Sequence, residues 1–102
     1  MDKFTIKNFE KLADFFEERE YGGWICAETE TQYTLIGRES SLVIHRNTQK
    51  LYDPYTFNLN EKIFVDVVLN GNTHRSSWDK KAFVSPESVW GIWKVGLEGV
   101  VK

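Results

Sequence analysis

Apolar positions recur at two spacings along this chain, and the change of spacing divides it into three parts. Ile6, Phe9, Leu12, Ala13 and Phe16 follow the i, i+3, i+4, i+7 rule and fall within one narrow stripe, which predicts an amphipathic helix. Thr5 and Asn8 are its candidate caps. Tyr21-Gly22-Gly23 ends it, since paired glycines reverse a chain at little steric cost. Phe15 lies off the stripe and is expected to pack against a neighbouring loop, the alternative being a place on a contact surface.

From Trp24 the period shortens to two. Residues 24–30 and 33–37 read as strands joined at Thr31-Gln32, and Leu42 to Arg46 as a third strand entered through Arg38-Glu39-Ser40-Ser41. Asn47 to Lys50 reads as a polar turn that leads the chain back through Leu51 and Tyr52. Residues 53–60, Asp-Pro-Tyr-Thr-Phe-Asn-Leu-Asn, hold so many turn formers that a loop is predicted.

Lys62 to Leu69 gives the clearest strand, with Ile63, Val65, Val67 and Leu69 on one face and Phe64, Asp66 and Val68 on the other. Asn70-Gly71 follows, and a type I′ turn needs positive φ at both central positions, which these two residues tolerate. That turn sets Asp66 opposite Arg75, Val67 opposite His74 and Ile63 opposite Trp78. An Asp–Arg pair directly across two strands is worth about 0.2–1 kcal/mol and favours this register. Asn72 to Ser77 is otherwise polar, as an edge strand would be.

Helical spacing returns at Ser85, a candidate cap, followed by Pro86 in the first helical position, where no N–H is required. Val89, Trp90, Ile92, Trp93, Leu97, Val100 and Val101 share one half of the wheel. Gly91, Gly96 and Gly99 each cost about 1 kcal/mol relative to alanine inside a helix. Gly96 lies on the apolar side, where it permits close approach, while Gly91 and Gly99 leave open a shorter helix with an extended tail. Trp93, Gly96 and Val100 are expected in the core, and Trp90 and Val101 at the margins, where they reach a partner or a second copy. The fold class is therefore α+β: an N-terminal helix, an antiparallel meander of five to six short strands, and a C-terminal helix, in two layers with both helices on one sheet face.

At 102 residues the chain is expected to form one domain, 1–102, and its 15% aromatic content suits a compact core. The formal charge of −2 offers no general attraction for phosphate backbones. Residues 1–31 carry eight acids and four bases, and most of that excess sits on the first helix at Asp14, Glu17, Glu18 and Glu20. These four form a candidate contact for a basic protein surface. Cys26 is the sole cysteine, in an apolar setting that raises a thiol pKa, so neither an internal disulfide nor a nucleophile is expected. No signal peptide, membrane-length apolar run, metal-ligand spacing or phosphate-cradling glycine loop is legible, so no cofactor or metal is expected, and the cytoplasm is the default compartment.

Three readings of function follow. The first is a non-enzymatic binding or inhibitor protein of the immunity, phage or mobile-element accessory kind, which occupies the surface of a protein partner such as a nuclease or nucleic-acid-binding complex, or forms a homodimer. Its candidate contacts are the four acids, the aromatics Tyr52, Tyr55 and Phe57, and Trp90 and Val101. The second is a small phosphodiester-cleaving enzyme with His45 and His74 as base and acid, and Arg46 or Arg75 on phosphate. The third uses the same aromatic loop to bind a ligand or single-stranded nucleic acid, although basic residues near it (Arg46, Lys50, Lys62) are sparse.

Overall fold

The structure, a computed structural model, describes residues 4–101. A short 3-10 turn at Phe9–Lys11 runs into α1 (Leu12–Arg19), and six strands follow: β1 (Ile25–Glu28), β2 (Gln32–Ile36), β3 (Ser40–His45), β4 (Gln49–Asp53), β5 (Asn58–Leu69) and β6 (Asn72–Trp78). A second 3-10 turn at Lys80–Phe83 leads into α2 (Pro86–Val101). All strand pairs are antiparallel, in the order β1-β2-β3-β5-β4, with β6 also on β5. This is the α+β arrangement expected, except that β5 is a single long strand on which three others converge.

One sheet face is the core. Tyr33, Leu35, Leu42, Ile44, Ile63, Val65 and Val67 alternate with more exposed neighbours and are fully or almost fully buried. Both helices cover that face. The ring of Phe9 lies 4.4 Å from that of Tyr33, and Phe16 meets Trp24 and Trp93 edge to face at 5.0 and 5.6 Å. Neither candidate cap holds the first helix, for Asn8 has φ 56° and makes no side-chain cap bond. The entry is instead fixed by burial of Phe4, Ile6, Phe9 and Leu12. Phe15 is half-buried against the core with the Arg19 guanidinium 3.7 Å above its ring.

The Asn70-Gly71 turn has positive φ at both residues, 52° and 80°, and the β5–β6 register is the one its geometry dictates. Elsewhere the strand reading needs correcting. The chain does not turn back at residues 47–50, and residues 58–60 are strand. β3 and β4 pair in series with one partner, β3 with the second half of β5 and β4 with the first. From Ile44 to Gln49 the chain advances five residues while β5, from Val65 to Lys62, advances three, so two extra residues interrupt the ladder as a bulge. Beyond it β4 and the start of β5 form a two-stranded arm whose sides both face solvent. An arm without a buried side carries no period-two apolar pattern, which is why it reads as turn and loop.

α2 is a full helix to Val101, entered as expected: Ser88 N–H donates to Ser85 Oγ at 3.2 Å. Two of its three glycines are explained by close approach. A side chain at Gly96 would collide with Val67, and one at Gly99 with the His74 ring. Trp93 and Gly96 are buried and Val100 packs half-buried on the core. Only Gly91 faces open space. We therefore expect Gly96→Ala to lower stability by about 1–3 kcal/mol through overpacking, and Gly91→Ala to raise it by about 1 kcal/mol through helix propensity, both measured by urea denaturation.

Candidate functional site

The arm begins where the ladder is interrupted, and Arg46 holds that point. It is the only charged residue that is buried among those described, at 8% exposure. Its Nε donates to the Phe4 carbonyl at 3.0 Å, and its Nη1 to the Thr29 carbonyl at 2.8 Å and to Glu28 Oε2 at 3.1 Å. The guanidinium carbon lies 4.4 Å from the centroid of the Tyr33 ring. Its backbone is used as well: Arg46 N–H donates to Thr31 O, and Phe4 N–H to Arg46 O. A guanidinium so placed is a structural tie and is not available to a phosphate.

The tip of the arm is built by Asp53. Its Oδ1 accepts the Tyr55 N–H at 2.8 Å, its carbonyl accepts the Phe57 N–H at 2.8 Å, and its Oδ2 accepts from Asn60 Nδ2 at 3.2 Å. This closes a tight turn over residues 54–57. The turn needs one residue in the left-handed region, and Phe57 occupies it with φ 59°. Glycine or asparagine would take that position more easily, and a bulky side chain there costs about 1–2 kcal/mol.

The side chains displayed are apolar. Tyr55 is 91% exposed, Phe57 76%, Leu59 65% and Tyr52 59%, all within eight residues. Tyr52 and Leu59 are directly paired across β4 and β5 and so share one side of the ribbon. Tyr55 and Phe57 both stand in solvent, outside the core. Leu59 is the residue that sequence reasoning missed, hidden in a segment read as loop; its signal was alternation with Phe57 just after the Asp53-Pro54 turn start.

The other sequence candidates are dispersed. Glu17 is engaged internally, with its two carboxylate oxygens accepting N–H bonds from Trp24 and Gly22 at 2.9 and 3.1 Å. Those bonds hold its carboxyl below the usual glutamate range. Glu20 lies 3.7 Å from Lys94 Nζ. Asp14 and Glu18 remain on open surface. Trp90 is packed half-buried on the core, its Nε1 without an acceptor among the described residues and Lys94 Nζ 5.1 Å from its ring centroid, so it is no free margin of α2, whereas Val101 is 75% exposed.

The two histidines lie on opposite faces of the sheet. His74 is paired with inward-facing Val67 and lies under Gly99 of α2. His45 alternates with buried Ile44 and turns to the uncovered face, where its Nε2 is 2.8 Å from Asp66 Oδ2. Asp66 is also gripped by Arg75, with Nε to Oδ1 at 2.8 Å and Nη2 to Oδ2 at 3.0 Å, the pairing that the hairpin register implied. With the sheet between them, the imidazoles do not flank one phosphate. Burial pushes the Cys26 thiol up, and its Sγ sits 3.4 Å from the Phe9 carbonyl. Among the described residues no cluster of histidine, cysteine and carboxylate side chains has metal-binding geometry.

Two outcomes are expected. Phe57→Gly relieves the strained turn and raises stability by about 0.5–1 kcal/mol in urea denaturation, although it removes a large aromatic side chain. Asp66 is held below the usual aspartate range, first by the Arg75 hydrogen bonds and then by His45. A carboxyl depressed in the folded state stabilises it at neutral pH and loses that contribution as the pH falls through and below its unfolded value of about 3.9. Asp66→Asn is therefore less stable than wild type at pH 7, with a shallower loss of stability between pH 5 and pH 2 (roughly the titration range of a carboxylate), as followed by thermal melts.

Comparison with protein-family models, with curated proteins and with solved structures finds no match for this chain.

Proposed function

We propose that this chain is a non-enzymatic binding protein that acts by occupying the surface of a protein partner, with the aromatic arm as its anchor. The observation that carries this reading is the concentration of Tyr52, Tyr55, Phe57 and Leu59 in solvent on one hairpin whose turn tolerates Phe57 at positive φ. Aromatic side chains of this kind supply much of the binding energy at protein interfaces because they bury large area with few rotatable bonds. A turn that keeps a strained, exposed phenylalanine gains nothing in stability from it, so the side chain is explained by what it contacts.

A protein partner is favoured over single-stranded nucleic acid by the charges around the arm. Lys62 Nζ lies 2.7 Å from Asp79 Oδ1, and Lys80 Nζ 3.2 Å from Glu61 Oε2, so two cations near its base are already neutralised. Base stacking without an accompanying basic track gives little affinity at physiological salt. Asp14 and Glu18 form the remaining part of the acidic helix face and would steer a basic-surfaced partner without anchoring it. The histidine-based alternative lacks a shared substrate position. The proposed role is that of an inhibitor, immunity or mobile-element accessory protein in the cytoplasm.

Affinity capture from the native host, compared across variants, tests this reading. Tyr55→Ala/Phe57→Gly is expected to stay folded and lose the proteins captured by wild type, an anchor pair being worth about 2 kcal/mol or more and hence over tenfold in Kd. Asp14→Lys/Glu18→Lys weakens capture at low salt, with a difference that shrinks as salt is raised. Undiminished capture by the arm variant would refute the proposal.

A further inference from the structure

A second feature lies away from the arm. The loop after α1, the β2–β3 turn and the C-terminal half of α2 enclose an open cleft of about 350 Å³. That volume is at the lower end of the range of about 300–1,000 Å³ typical of small-molecule sites. Its floor is apolar. Trp24 and Trp93 meet edge to face at 5.4 Å, and Leu69 and Leu97 extend the same surface. The floor is preorganised by its own hydrogen bonds: Trp24 Nε1 donates to the Glu20 carbonyl at 2.6 Å and Trp93 Nε1 to Ser40 Oγ at 3.1 Å. A side chain at Gly37 would strike the Trp24 ring, so that glycine lets the indole lie flat against the turn.

The mouth carries three donors, Tyr21, Arg38 and Ser40, beside the carboxylates of Glu20 and Glu39. Ser40 Oγ accepts from Trp93 and keeps its own O–H for an acceptor. Tyr21 is 86% exposed and its hydroxyl has no partner among the described residues. The Arg38 guanidinium forms no ion pair among the described residues; it lies 5.9 Å from the centroid of the Tyr21 ring, and its charge helps to hold the nearby Glu17 carboxyl low. Of the two acids on the rim, Glu20 is drawn towards Lys94 at 3.7 Å, and Glu39 follows Arg38 on the turn. The carbonyl of Glu20 is already taken by Trp24.

We infer that this cleft is a binding site for a small aromatic anion, its ring lying on the Trp24–Trp93–Leu97 floor and its carboxylate or sulfonate held by Arg38 with Ser40 and Tyr21. Free donors at the rim and aromatic edges below match a flat body with acceptor oxygens at one end. The site is independent of the arm, so either assignment can fail without the other.

Titration with 8-anilinonaphthalene-1-sulfonate, an aromatic anion, tests it by fluorescence. Wild type is expected to show saturable binding at one site, displaced by indole-3-acetate and much less by uncharged indole. Arg38→Gln weakens it about tenfold, the loss of a charge-assisted hydrogen bond. Leu97→Trp fills the cleft and abolishes it, and Tyr55→Ala/Phe57→Gly leaves it unchanged. Arg38 is exposed, so Arg38→Gln remains informative if Leu97→Trp folds poorly. Absence of saturable binding, an unaltered Kd in Arg38→Gln, equal displacement by neutral indole, or loss of the signal in the arm variant would each overturn the assignment.

Discussion

The burial of Arg46 is the constraint on which the shape of this molecule depends. A guanidinium taken out of water carries a penalty of several kcal/mol unless its donors are satisfied, and here they are met by two carbonyls and a carboxylate from segments distant in sequence. Because those acceptors belong to the N-terminal segment, the end of β1 and the β1–β2 turn, Arg46 closes the sheet at one end. It does so at the point where two additional residues enter the ladder. A bulge bends its strand and increases local twist. The continuation of the hairpin therefore leaves the helix-covered face and becomes a free-standing arm.

What the arm displays follows from that geometry. A two-stranded ribbon has no interior, so every side chain on it contacts either solvent or its cross-strand neighbour. Natural edges of this kind are usually kept short or charged, which discourages uncontrolled pairing. This one is short, with five residues in β4, and Lys50 lies within it. Its apolar groups are gathered at the tip and on the Tyr52–Leu59 pair. Asp53 fixes the tip through three hydrogen bonds, so the aromatic rings are presented from a hydrogen-bonded turn. Pre-ordering of that type lowers the entropic cost of association.

The covered face obeys a different rule. Helix and sheet approach closely along α2 because Gly96 and Gly99 lack side chains where Val67 and His74 stand. The helix propensity lost at those two positions is offset by packing, which the wheel suggested for Gly96 and missed for Gly99. His74 was the unseen partner, since its inward direction depends on the β5–β6 register and on the helix axis together. The same register separated the two histidines. Along a strand, one residue of difference changes the face, so His45 and His74 could share a sheet without sharing a site.

Local sequence was sufficient wherever one side of an element is buried. The Leu12–Phe16 part of the first helical stripe (Ile6 and Phe9, counted in it, precede α1), the alternation of Ile63, Val65 and Val67, the Asn70-Gly71 turn with its Asp66–Arg75 pair, and the Ser85-Pro86 start of α2 were readable from spacing and turn chemistry, because burial and positive φ impose their own pattern on residue choice. The three aromatics of the candidate anchor were likewise recognisable as a group. Tertiary structure alone decided that they stand on a projecting ribbon, that Leu59 joins them, that Glu17 clasps a loop and that Arg46 is enclosed. Each of these depends on groups from distant segments meeting in space, or on an element with no buried side, and neither condition leaves a periodic trace in the sequence.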